Sequence, residues 1–158
     1  MSTEDGRLDR LTHEKIFREE ILTESQFIEA TEQTRPKAIL LGGQPGAGKG
    51  GMSDAAKLEL GNDAVVIDPD RMREYDPRLK RFRNTNPYTW SGDTQSQAAA
   101  FTDDYRNAVV AGRKNLIFDT AWSQLSRLLN GRPMETPGWK INAEVDGIQC
   151  ALFIRCCL

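Results

Sequence analysis

The sequence predicts an α/β fold, a parallel sheet flanked by helices and preceded by a helical arm, on three observations. Short, mainly apolar runs recur at 38–41, 64–67 and 115–118, helical stretches alternate with them, and a glycine-rich turn joins the first run to the first of these helices. Strands buried on both faces read as continuous apolar runs, and strands alternating with helices form βαβ units.

Taken in order, residues 11 to 30 carry Leu11, Ile16, Phe17, Ile21, Leu22, Phe27 and Ile28, an irregular helical stripe with a break expected at Thr23 to Ser25. Thr34-Arg35-Pro36 punctuates the chain, so residues 1–36 read as an N-terminal helical arm and 37–158 as the core. Ala38-Ile39-Leu40-Leu41 is the first core strand. A helix from about Gly48 to Leu60, closed by Gly61-Asn62, leads into the strand Ala64-Val65-Val66-Ile67, which ends at Asp68. Residues 75 to 94 are rich in Arg, Asn, Pro and Gly and read as a long surface loop. Ala98, Ala99, Phe101, Tyr105, Ala108 and Val109 mark a helix from Gln95 to Ala111, ended by Gly112. The strand 115–118 stops at Asp119, a helix is expected over 124–130, and 141–145 and 149–154 are further strands.

Composition narrows the function classes. The 158 residues include 21 basic and 23 acidic side chains, for a net charge of -2, with 39% hydrophobic residues. The mean hydropathy is -0.55. Wholesale disorder is excluded on that hydrophobic content. No run approaches the roughly 18 apolar residues of a membrane helix, and the polar, acidic start is unlike a signal peptide. Balanced charge removes the electrostatic footprint of a nucleic-acid binder. The expectation is a cytoplasmic globular protein with neither membrane nor nucleic acid as partner. Cys150, Cys156 and Cys157 lack the paired spacing of a zinc site, and His13, among Glu14, Lys15 and Arg18, reads as part of a solvated helix face.

Gly43-Gln44-Pro45-Gly46-Ala47-Gly48-Lys49 fits GxxxxGK between a predicted strand and helix, the context in which that pattern holds phosphates. Glycines let backbone N–H groups converge on the phosphates, the following helix presents its positive end, and Lys49 reaches the β and γ positions. Gly43 to Gly51 is therefore the candidate ATP-binding segment of a P-loop NTPase-type fold. An ordinary glycine-rich turn is the alternative. Gly50 stands where a Ser or Thr hydroxyl normally meets Mg²⁺, and neither Gly51 nor Ser53 replaces it directly.

Ligands of open α/β sheets gather at the carboxyl ends of the strands, so Asp68, Asp70 and Asp119 should face the phosphate loop. Such acids can accept a hydroxyl proton, help to place Mg²⁺ or hold sugar hydroxyls. Asp68-Pro69 is also a good helix N-cap followed by Pro at N1, and for Asp68 both readings stay open. Asp103, from the residues alone, reads as solvent-exposed.

Leu40 to Lys49, Val66-Ile67-Asp68-Pro69-Asp70 with Asp76-Pro77, and Ile117-Phe118-Asp119-Thr120 together resemble the zeta toxin family over roughly residues 12 to 145. The resemblance implies a P-loop kinase that uses ATP and Mg²⁺ to phosphorylate UDP-N-acetylglucosamine or a similar UDP-sugar, beside a small antitoxin protein. It implies Lys49 as the loop lysine, Asp70 as general base, and Asp103, Asp119 and the neighbourhood of Thr120 as substrate-binding positions. No metal ligand is assigned. The family continues beyond the strand at Ile141 into a segment with phosphate-clamping arginines, whereas Arg155 is the only arginine here after Arg132; the expectation is a C-terminally incomplete member. Two alternatives accompany it, a catalytically impaired nucleotide-binding remnant and a P-loop kinase for another small metabolite.

Overall fold

The computed structural model describes residues 6–42, 49–120, 141–145 and 148–154, excepting the side chains of 42, 49, 50 and everything from 120 onward. Gly43 to Gly48, the helix expected over 124–130, Arg155, Cys156 and Cys157 lie outside the described residues. The arm comprises α1 (Arg10–Ile16), a π-helical turn (Phe17–Ile21) and α2 (Ser25–Glu29), with the break where the sequence placed it. There follow β1 (Lys37–Gly42), α3 (Lys49–Glu59), β2 (Val65–Ile67), α4 (Pro69–Met72), a 3₁₀ turn (Arg73–Tyr75), α5 (Leu79–Thr85), α6 (Trp90–Asp93), α7 (Gln95–Ala111), β3 (Leu116–Thr120), β4 (Ile141–Val145) and β5 (Ile148–Ile154). No described helix is long and apolar enough to cross a membrane.

The strands form one sheet in the order β2-β3-β1-β5-β4. β1 is parallel to β3 and β5, β2 is parallel to β3, and β4 alone runs antiparallel, to β5. Val145 pairs with Ile148 across that last connection, and Asp146-Gly147 between them in sequence is a dipeptide favoured in two-residue hairpins. The two-residue period of the strands divides the core. Ala38, Leu40, Val65, Ile67, Leu116 and Phe118 pack with Phe101, Tyr105 and Val109 of α7 and with Ile16 and Ile21 of the arm, while Ile39, Leu41 and Ile117 meet Ala56 of α3 and Leu60 just after it. Both faces are covered, which is why these strands read as continuous apolar runs.

Two polar devices fix the sheet. Buried Asn115 accepts the Lys37 N–H at Oδ1 and donates from Nδ2 to the Asp63 carbonyl, while its own carbonyl accepts the Val65 N–H, tying the amino ends of β1, β2 and β3 together. The open edge at β2 is met by Gln26, whose amide donates to the Val66 carbonyl and accepts the Val66 N–H, both at 3.1 Å. A side-chain amide thus stands in for a neighbouring strand.

Two expectations need correction. Residues 75 to 94 are not a surface loop: they hold α5 and α6, with Asp76, Leu79 and Thr94 buried. His13 does not lie on a solvated face. Its ring stacks on Phe101 at 4.5 Å, Nδ1 accepts from the Gln97 amide at 2.8 Å and Nε2 faces Asp104 Oδ2 at 2.7 Å. Gln97, fully buried, uses its carbonyl oxygen to accept the Leu8 N–H, so this chain of polar groups ties the arm to α7. α7 ends at Gly112 as expected, with Arg113 (φ 52) left-handed just beyond it, and Gly61 (φ 67) and Asn62 (φ 58) close α3 as expected.

Candidate functional site

Strand register assembles the site. Ile67 pairs with Phe118, Leu41 with Asp119 and Gly42 with Thr120, so β2, β3 and β1 end together at one edge of the sheet. Asp68 follows β2 beside Asp119 near the end of β3, and β1 ends at Gly42 next to Thr120. Strand β3 runs through Asp119 rather than stopping before it. The edge is the crevice in which parallel α/β sheets bind ligands, and β1 there has neighbours on both sides. Lys49 and Gly50 open α3, and at Gly51 a Cβ would meet no atom within 4 Å.

Of its two sequence readings, Asp68 shows the helix cap. It is the N-cap of α4, its Oδ1 accepting the Asp70 N–H at 2.9 Å with Pro69 in the first turn. Burial pushes its carboxyl above the usual carboxylate range, opposed by the Asp70 N–H bond and reinforced by the negative charges of Asp119 and Asp70. Among the described carboxylates, Asp68 is thus the one whose charge the fold disfavours. Because the folded state binds its proton more readily than the unfolded chain, stability falls as pH rises from the unfolded value through the raised folded one, and the penalty is complete above it. Asp68→Asn keeps an N-cap oxygen and removes the charge. The variant is expected to melt at a higher temperature than the parent at pH 7, with the difference shrinking at pH 4; equal melting temperatures at pH 7 would contradict this.

The other predicted residues are placed unequally. Asp70, in the first turn of α4, is exposed, with 82% of its side chain accessible, and is paired with Arg73 one turn on. Asp103, midway along α7, is exposed and 3.3 Å from Arg106. It borders a shallow depression of about 380 Å³ shared with Arg7, Leu8, Arg10, His13 and Asp104, on the side of the arm. Asp68, Asp119 and Asp70 are brought together; none of the interactions described for Asp103 joins it to them. Arg73 was missed by sequence reasoning, although its opposite charge three residues after Asp70 at a helix start was the available signal.

Behind α4 lies Glu24, the N-cap of α2, whose side chain is only 8% exposed. It receives Arg71 at 3.0 Å, the Gln26 amide at 2.7 Å and the hydroxyls of Tyr75 and Tyr105. Burial, the acceptor bond to Glu24 and its charge push the Tyr75 phenol up to about 12. The arm thereby grips the short helix carrying Asp70.

Comparison with known proteins bears on the fold and the family. A family model described as Zeta toxin matches residues 19–128. A solved chain from a structural study of the PezAT chromosomal toxin–antitoxin system of the human pathogen Streptococcus pneumoniae is similar at a TM-score of 0.69 and 20% identity, over 80% of this chain and 55% of that one. At that identity the likeness establishes the fold, and the present chain spans about half the length of that structure. No curated protein sequence matched. The family match covers well over half of the sequence, from the arm through the sheet edge that bears Asp68, Asp70 and Asp119: the chain belongs to the zeta toxin family.

Proposed function

We propose that the chain is a nucleotide-binding kinase core that transfers the γ-phosphate of ATP to a hydroxyl of a UDP-amino sugar such as UDP-N-acetylglucosamine. The observation that carries this reading is that β1, after which the GxxxxGK sequence follows, ends at the sheet edge where Asp68 and Asp119 converge with Asp70 beside them. Gly43 to Gly51 bind the phosphates and Lys49 neutralises them. The acceptor hydroxyl oxygen bonds to the γ-phosphorus, the bond to the β–γ bridging oxygen breaks, ADP departs and Asp70 accepts the hydroxyl proton. Asp119, Asp103 and Thr120 hold the acceptor.

A divalent cation suits the donor set, since Asp119 lies close enough to Asp68 for its charge to disfavour that of Asp68. Mg²⁺ would be held by these acids together with phosphate oxygens, and would supply charge neutralisation on the phosphates. The remaining parts of the reading are a division at residue 36 into arm and core, a small antitoxin protein as partner, and a cytoplasmic location.

Lys49→Ala tests the nucleotide site. The loss of a charge-assisted contact of about 1.5–3 kcal/mol should weaken ATP binding roughly tenfold or more in calorimetry. Absence of binding heat in both proteins at millimolar ATP, with circular dichroism unchanged, overturns the assignment. Gly50 favours a second reading, a chain that binds nucleotide with little turnover, because no hydroxyl stands at that position for Mg²⁺. Saturable ATP binding without ADP release in the presence of UDP-N-acetylglucosamine would select it.

A further inference from the structure

We infer that Arg73 is a positioning residue that fixes the carboxylate of Asp70; its catalytic consequence rests on the phosphoryl-transfer reading above. Asp70 belongs to a four-residue helix and is exposed, so packing alone does not choose among its staggered rotamers. The partner differs in kind. Only 13% of the Arg73 side chain is accessible, Nη1 donates to Asp70 Oδ1, and Nη2 donates to Oε1 of Gln95, the first residue of α7. Its Nε is buried without a hydrogen-bond partner among the described residues.

A planar guanidinium held by burial and by Gln95 is a fixed post, and its fork dictates the direction from which a carboxylate oxygen is met. The ordering entropy of the arginine is thus met by the fold and not by its contact with Asp70. The contact engages Oδ1, which orients Oδ2 for an incoming hydroxyl. The same bridge joins the short helix after β2 to the start of α7, so the acid is referenced to two elements of the core rather than to one exposed turn.

The test uses the full chain with Arg73→Gln, Arg73→Lys, Asp70→Asn and the double variant Arg73→Gln/Asp70→Asn. In NMR, the two Hα–Hβ couplings of Asp70 should be one large and one small in the parent, averaged in Arg73→Gln and partly restored in Arg73→Lys. Turnover with ATP and UDP-N-acetylglucosamine should fall roughly 10- to 100-fold in kcat for Arg73→Gln, the loss typical of about 1 Å of misplacement, with ATP affinity unchanged. Introduced into Asp70→Asn, the same substitution should cause no further loss, because a group acting through Asp70 has nothing left to act on. Averaged couplings in the parent, or an equal fold-loss in both backgrounds, overturns the inference. Should Arg73→Gln fail to fold, Gln95→Ala removes the other anchor, and it should average the same couplings; unchanged couplings there overturn the inference too. A parent chain without any transfer would sink the kinase reading, while the couplings would still decide the role of Arg73.

Discussion

Asp76→Ala is expected to destabilise the protein by about 3–5 kcal/mol, the effect of leaving one member of a buried ion pair uncompensated. The Asp76 side chain is 1% exposed and that of Arg78 12%. Their contact is two-pronged: Nε of Arg78 donates to Oδ1 at 3.0 Å and Nη2 to Oδ2 at 2.9 Å, while the Arg78 N–H also donates to Oδ1. Nη2 further reaches the Gly6 carbonyl, so the pair fastens the beginning of the arm to the turn before α5. Alanine would remove both carboxylate acceptors at once and leave a guanidinium largely out of water with the Gly6 carbonyl in place of its counter-charge. For a chain of this size the loss corresponds to a melting temperature lower by roughly 6–20 °C, a large part of the margin of an ordinary domain. Thermal unfolding followed by circular dichroism measures it directly. A loss below about 1 kcal/mol, as for an exposed pair, would mean that water reaches this site.

Asp76 also marks where the sequence stopped being legible. Strands β1, β2 and β3 could be read because both of their faces are buried, which leaves an unbroken apolar run and needs no knowledge of partners. The segment 75–94 offers no such pattern: α5 and α6 are seven and four residues long, too short for a helical period, and α6 contains Gly92. Its order comes from burial of Asp76, Leu79 and Thr94 against other elements, which local composition does not encode. His13 fails for a related reason. Its sequence neighbours are charged, but the groups that define it, Gln97, Phe101 and Asp104, come from a helix some 90 positions away. The candidate site divides the same way. Its acids at strand ends follow from topology and were readable, whereas the grip of Glu24 on Arg71 and the bridge from Arg73 to Gln95 exist only after the chain has folded.

On the proposed phosphoryl-transfer reading, Asp70→Asn should lower kcat by roughly 10²–10⁴, the range for removing a general base. That equals about 3–5 kcal/mol in the activation barrier at about 1.4 kcal/mol per factor of ten. The placement of Asp70 makes the substitution clean. Its side chain is largely exposed, the capping bond to Asp68 uses the backbone N–H and survives, and an asparagine oxygen can still accept from Arg73. Stability should therefore change little, and any large loss of rate belongs to the chemistry. ATP affinity should also be retained, because a base acting on the acceptor hydroxyl does not touch the nucleotide; this separates Asp70 from Lys49, whose removal should weaken binding itself. The same logic distinguishes Asp70 from Asp68 beside it. Asp68 caps the helix through its side chain and carries the strained charge, so its replacement by asparagine shifts stability with pH, whereas replacement of Asp70 shifts rate. Release of ADP that depends on UDP-N-acetylglucosamine and continues at the parental rate in Asp70→Asn would remove this residue from the mechanism and leave Asp68 and Asp119, at the ends of β2 and β3, as the acids able to take the proton.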